Sequence, residues 1–172
     1  PRWHPREQRL YWVDIHRQEL HRFTPASSLD ERRRFDAPVG CFAFRAQGGL
    51  VLAMKDGLAL LDDWDAEPVP FGEQILAGKP DLRFNDGRTD PAGRFWVGSV
   101  NTAKSAQDAA LYRVDPDGAV HLIEGDMLTC NGAAFSADGT AFRHADTPSH
   151  ALRGYTVDPA TGTLSARHVV HQ

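Results

Sequence analysis

The segment Arg83-Phe84-Asn85-Asp86-Gly87-Arg88 gathers the side chains best suited to chemistry in this 172-residue chain. Asparagine and aspartate offer neutral and anionic oxygens, the ligands that hard divalent ions prefer, and Gly87 lets the backbone bend around them. Arg83 carries a rigid fork of donors that can hold an oxygen-rich ligand or stabilise charge developing on a carbonyl oxygen. The same residues also suit an Asx-type turn in which Asn85 and Asp86 satisfy only local backbone groups. A second candidate is Cys130-Asn131-Gly132-Ala133-Ala134-Phe135. Asn-Gly alone is a favoured turn dipeptide. Two such loops at equivalent places in neighbouring structural units would, however, point toward one shared site.

The units that must position these loops appear as a recurrence. A turn segment followed by a short apolar burst occurs at Leu10-Tyr11-Trp12-Val13, Leu50-Val51-Leu52, Phe95-Trp96-Val97 and Ala141-Phe142. The intervals are about 40, 45 and 46 residues, the length of a four-stranded propeller blade. Each burst precedes a second strand-like run, at Glu19–Phe23, Leu58–Leu61, Ala110–Val114 and Leu152–Val157. Turn chemistry then follows in Thr24-Pro25, Asp115-Pro116-Asp117-Gly118 and Asp158-Pro159-Ala160-Thr161-Gly162, where proline presets the backbone and glycine accepts positive φ. Third strands are expected at Arg33–Phe35, Ala119–Ile123 and Arg167–Val170. Both functional segments lie just ahead of a burst, where loops are expected to meet a blade's innermost strand. A two-sheet sandwich also has short strands and regular turns, but it does not call for a repeat of this length.

Bulk properties narrow the function classes. With 41% apolar and 24% charged residues the chain reads as globular rather than disordered. A net charge of −4 with scattered Lys and Arg gives no basic patch for nucleic acid, so small molecules are the better partners. No apolar stretch is long enough to span a bilayer and no signal-peptide pattern opens the sequence, which gives the expectation of a cytoplasmic protein without membrane contact. Cys41 and Cys130 lie far apart and read as buried small residues. His144 and His150 fit no common zinc spacing and read as surface or loop residues. Serine-hydrolase elbows, phosphate loops and dinucleotide fingerprints are all missing from the sequence.

Taken in order, these motifs resemble the senescence-marker-protein-30, gluconolactonase and luciferin-regenerating-enzyme-like family, which includes regucalcin. The carriers are Leu10-Tyr11-Trp12-Val13-Asp14-Ile15 with Leu20-His21-Arg22-Phe23; Arg83 to Arg88 with Asp90-Pro91-Ala92-Gly93-Arg94-Phe95-Trp96-Val97-Gly98; and Asn131-Gly132 with Phe135-Ser136-Ala137-Asp138-Gly139. Asp146-Thr147, Tyr155 and Asp158-Pro159-Ala160-Thr161-Gly162 extend the likeness over nearly the whole chain.

The resemblance implies an all-β, six-bladed propeller of which residues 1–172 form a single partial domain. That domain would be cut short at both ends and cover roughly the first half, three to four blades. It also implies hydrolysis of a sugar lactone around one divalent ion, calcium or zinc foremost, with manganese and magnesium also admitted. Asn131 matches the family's ligand asparagine. Arg83 and Asn85 match positions that contact the substrate, Asn85 lying close to the metal as well. The family's ligand glutamate would precede Pro1, and its general-base aspartate would follow Gln172. The 172 residues by themselves are therefore expected to hydrolyse little. A propeller that binds or scaffolds without catalysis is the alternative, since fold is no proof of chemistry. Within the family pattern, Arg143-His144 stands out as a polar pair in a strand that is usually apolar and aromatic.

Overall fold

The computed structural model describes residues 1–171. It consists of four four-stranded antiparallel sheets, each a meander whose spatial order follows the sequence. The first holds β1 (Arg2–His4), β2 (Arg9–Asp14), β3 (Glu19–Thr24) and β4 (Leu29–Arg34), and the second β5 (Cys41–Phe44), β6 (Leu50–Ala53), β7 (Leu58–Leu61) and β8 (Val69–Phe71). The third holds β9 (Leu82–Thr89), β10 (Phe95–Asn101), β11 (Ala109–Val114) and β12 (Val120–Met127), and the fourth β13 (Cys130–Phe135), β14 (Ala141–Asp146), β15 (Ala151–Val157) and β16 (Leu164–His171). These are four propeller blades. β9 lies between β5 and β13, so the first strand of each blade is the inner one. No helix among the described residues is long and apolar enough to cross a membrane.

The apolar bursts are the second strands, and burial shows why they are the loudest part of the sequence. A blade sandwiched between two others is covered on both faces, so its middle strands need apolar side chains at successive positions rather than at alternate ones. Every residue of β6 and β10 is buried. Trp96, Phe84, Phe142, Leu111 and Met127 form one core shared by the last three blades, while Tyr11, Leu20, Val39, Phe42 and Leu52 form another between the first two. Cys41 and Cys130 are buried free thiols, as their isolation suggested.

Between the first and second strands of the third blade sits the turn Asp90 to Arg94. Asp90 is 6% exposed, and its carboxylate accepts from the Arg94 amide (2.9 Å), Arg94 Nε (2.6 Å) and Trp96 Nε1 (3.0 Å). Gly93 closes the turn at φ 85° and donates its amide to the Asp90 carbonyl, a conformation open to glycine at little cost. The Arg94 guanidinium reaches on to the carbonyls of Pro159 (2.8 Å) and Ala160 (3.3 Å) in the turn of the next blade. The Asp-Pro-Ala-Gly-Arg-Phe-Trp string is therefore a clip between blades three and four rather than part of a reactive centre.

Two expectations are corrected. Arg83–Arg88 and Cys130–Phe135 are not loops leading to an inner strand; they are the inner strands β9 and β13 themselves. His144, expected in a surface or loop position, is wholly buried on β14. On β14, Phe142, His144 and Asp146 point inward while Arg143 is exposed, so the polar pair keeps strand alternation intact. The His144 ring stacks between Phe142 and Tyr155, and its Nε2 lies 3.4 Å from Glu124 Oε2 and 3.2 Å from Tyr155 Oη.

Glu124, on β12, gathers these groups together with Arg153 (2.7 Å) and Arg167 (2.9 Å) and so ties blade three to blade four. Burial opposes its ionisation, but hydrogen bonds from His144 and Tyr155 and the charge of Arg153 outweigh that and hold the carboxyl at about 2, against 4.5 in an unfolded chain. Its contribution to stability is thus complete above pH 4.5 and lost as pH falls through about 2. Glu124→Gln is expected to cost about 1–2 kcal/mol at pH 7 after allowance for solvent screening. The deficit should shrink in denaturant titrations repeated toward pH 2; an equal deficit at both ends would refute the linkage.

Gly40, just before β5, backs directly onto β9. A Cβ there would stand 2.6 Å from the Phe84 carbonyl carbon and 2.9 Å from the Asn85 amide nitrogen. Both are backbone atoms, so no rotamer change makes room. Gly40→Ala is expected to destabilise the chain by about 1–3 kcal/mol, read as a lower denaturation midpoint.

Candidate active site

β9 and β13 run beside each other, and each sequence-derived candidate lies on one of them. Strand β9 pairs with buried β10 through Val100↔Arg83 and Val97↔Gly87, with a register shift between Val97 and Ser99. That irregularity resets the alternation around Phe84 to Asp86, and β13 has a matching one between Asn131 and Ala134. Three hydrogen bonds then join the strands. Asn85 Nδ2 donates to the Cys130 carbonyl (3.1 Å), the Gly132 amide donates to Asp86 Oδ2 (2.9 Å), and Arg88 Nε donates to the Ala133 carbonyl (3.4 Å). Arg83, Asn85 and Asn131 are thereby brought to one end of the two inner strands.

Arg83 is half-buried. Its Nη1 donates to the Phe84 carbonyl (2.8 Å) and to Asn85 Oδ1 (3.2 Å), which fixes the guanidinium and leaves Nε and Nη2 without a hydrogen bond among the described residues. Burial pushes the pKa of Arg83 down, though an arginine stays charged across the accessible range. Asp86 is differently occupied. One carboxylate oxygen takes the Gly87 amide (2.9 Å) and the other the Gly132 amide, so this aspartate is a bracket between strands.

Asn131 is half-buried; its Nδ2 donates to Thr147 Oγ1 (3.3 Å), and among the described residues its Oδ1 accepts only the neighbouring Gly132 amide (3.1 Å). That leaves lone-pair capacity on an oriented neutral oxygen, which is the chemistry a divalent-ion ligand requires. Asp146 is buried and accepts the Thr129 amide (2.9 Å), so it too is committed to the backbone. The described residues thus supply Asn131 Oδ1 and the nearby Asn85, and no group of three acidic, histidine or cysteine side chains that could hold a metal occurs among them. Cys130, next to Asn131, is no nucleophile: burial pushes its thiol pKa well up.

Sequence reasoning missed Lys104. It lies in the turn after β10, at a left-handed φ of 55°, and its ammonium donates to Thr129 Oγ1. A lone lysine in a polar loop carries no signal of its own in a sequence. Its reach toward the next blade becomes visible only once Val100 and Thr129 are seen to bridge.

The SMP-30/Gluconolactonase/LRE-like region matches residues 1–172. A 6-deoxy-6-sulfogluconolactonase of Pseudomonas putida is 38% identical over 92% of the chain and 54% of its own length. A pentonolactonase of Haloferax volcanii is 34% identical over 97% of the chain and 55% of its own length. Among solved structures, a calcium-binding protein, regucalcin, from Agrobacterium tumefaciens superposes with a TM-score of 0.91 at 26% identity, covering 97% of this chain and 56% of that one. The chain spans about half the length of the curated relatives it matches. On its blades, its inner-strand motifs and this match along all 172 residues, the chain belongs to the SMP-30/gluconolactonase/LRE-like family.

Proposed function

We propose that this chain supplies the substrate-binding arginine and one metal ligand of an enzyme that hydrolyses a sugar lactone. The observation that carries the reading is the convergence of Arg83, Asn85 and Asn131 across β9 and β13, held by the Asn85 to Cys130 and Gly132 to Asp86 hydrogen bonds. The lactonase names of relatives at 38% and 34% identity support it.

In this reading Asn131 Oδ1 would hold one divalent ion with Asn85 close by, and the carboxylate ligands and the general base would come from blades other than these four. When bound, such an ion polarises the lactone carbonyl and lowers the pKa of the attacking water. A neutral amide ligand leaves more of the ion's charge for that work than a carboxylate would. The regucalcin comparison favours calcium, and the oxygen ligands equally suit zinc, manganese or magnesium.

Arg83 does its part through Nε and Nη2, which bind the lactone's oxygens and meet the charge that builds on the carbonyl oxygen as water adds. Asn85, held between Arg83 and the Cys130 carbonyl, keeps the guanidinium oriented toward the ligand. The buried strands behind keep both side chains from drifting, and positional error of about 1 Å in such a site can cost a hundredfold in rate.

The test is hydrolysis of D-glucono-1,5-lactone and a pentonolactone by the intact protein, with and without a chelator. Chelator-sensitive turnover that falls at least a hundredfold in Asn131→Ala, and recovers in part with excess metal, is the expected result. Turnover untouched by both treatments would remove Asn131 from the site. A complete lack of turnover with tight lactone binding would favour a non-catalytic propeller.

A further inference from the structure

Two cations stand at this end of the inner strands without a carboxylate partner. Neither Arg83 nor Lys104 forms an ion pair within 4.0 Å among the described residues, whereas most other arginines on the blades do, as at Arg22–Glu31, Arg94–Asp90 and Arg113–Asp115. Their hydrogen bonds go only to neutral oxygens: Phe84 carbonyl and Asn85 Oδ1 for Arg83, and Thr129 Oγ1 for Lys104.

Both flank one residue. Val100 pairs with Arg83 on β9 and bridges to Thr129, the residue that Lys104 touches. From Lys104 a chain of contacts leads through Thr129 and Thr147 to Asn131, since the Thr147 amide donates to the Thr129 carbonyl (3.2 Å) and Asn131 Nδ2 donates to Thr147 Oγ1 (3.3 Å). From Arg83 a second chain leads through Asn85 to the Cys130 carbonyl, next to Asn131. Burial lowers the pKa of Lys104, the charge of Arg83 lowers it further, and the buried Asp146 carboxylate acts in the opposite direction.

Lys104 reaches across to Thr129 while the residue itself remains exposed. The lactone's own oxygens give Arg83 its task and leave Lys104 beside it without one. An acidic substituent supplies it, because an anion bound next to two like charges relieves their mutual repulsion.

We propose that Lys104, standing beside Arg83, binds an acidic group carried by the sugar lactone, a sulfonate, phosphate or carboxylate, and that the site selects charged lactones over neutral ones. This deepens the lactonase reading and rests on it for the identity of the ligand.

The experiment compares kcat/KM of the intact protein for D-glucono-1,5-lactone, its 6-phosphate, its 6-deoxy-6-sulfo analogue and a glucarolactone. At least one acidic lactone is expected to exceed the neutral one by tenfold or more, with the advantage shrinking in high salt. Lys104→Met should cut that preference ten- to a hundredfold, chiefly through KM. Lys104→Gly, which suits the left-handed backbone, should do the same and so separates loss of charge from loss of fold. Equal use of neutral and acidic lactones, or a preference unchanged within twofold in both variants, would overturn the inference and leave the lactonase reading intact. If no lactone is turned over, the lactonase reading fails, and calorimetric binding of D-glucitol 6-phosphate and 6-sulfate against D-glucitol decides. Tighter, Lys104-dependent binding of either anion sustains the charge pocket, and equal binding of all three rejects it.

Discussion

Asp90→Ala is expected to lower the free energy of unfolding by about 3–5 kcal/mol, the largest effect of any single substitution considered for this chain. The carboxylate is buried and has three donors, so its loss leaves Arg94 Nε and the Trp96 indole N–H without their acceptor in a largely buried site. Breaking such a pair costs more than the pair contributes, because the surviving charge stays desolvated. The consequence crosses a blade boundary, since the orphaned Arg94 also anchors the carbonyls of Pro159 and Ala160. Denaturant unfolding of wild type and variant should show a shifted midpoint at a similar slope. Asp90→Asn, which keeps an acceptor for the Arg94 amide but not the ion pair, should fall between the two. A loss under 1 kcal/mol for the alanine variant would mean the clip is incidental.

Arg83→Lys is the substitution expected to affect catalysis most while sparing the fold. A lysine can replace the charge but not the geometry: one nitrogen on a flexible stem cannot donate to Phe84 and Asn85 and also present further donors to a ligand. Loss of an oriented donor to a developing oxyanion typically costs about a hundredfold or more. We expect kcat/KM for the preferred lactone to drop by about that factor in the intact protein, with the fall mainly in kcat and with unfolding behaviour close to wild type. A change below threefold would place Arg83 off the reacting end of the substrate.

What could be read in the sequence, and what could not, follows from burial. The middle strands were legible because two covered faces force continuous apolar runs such as Leu50–Ala53 and Phe95–Val100. Hairpin turns were legible because Pro, Asp and Gly have few other uses in such strings. The inner strands were not, since β9 reads Leu-Arg-Phe-Asn-Asp-Gly-Arg-Thr and looks like a loop. Its strand character comes from ladder bonds to β10 and its polar side chains from facing its neighbours across the inner edge. His144 was misplaced for a related reason: its polarity is satisfied by Glu124 and Tyr155, which arrive from strands elsewhere in the chain. Of the site, the segments that carry Arg83, Asn85 and Asn131 stood out by residue type and position, and their individual roles came from family likeness. Lys104 needed the fold, because only the Val100–Thr129 bridge brings its turn beside β13.

The hydrogen bonds that join β9 to β13 span 45, 45 and 46 residues, one blade length each. Within a blade, by contrast, each strand meets the next through a short turn. Ordering the chain therefore proceeds on two scales: hairpins close cheaply and early, whereas the inter-blade bonds must first close a loop some 45 residues long. The site belongs to the slower scale. No blade contains it, and a hairpin can be fully formed while Asn85 and Asn131 are still strangers, so binding at this site reports the docking of two blades rather than the folding of either.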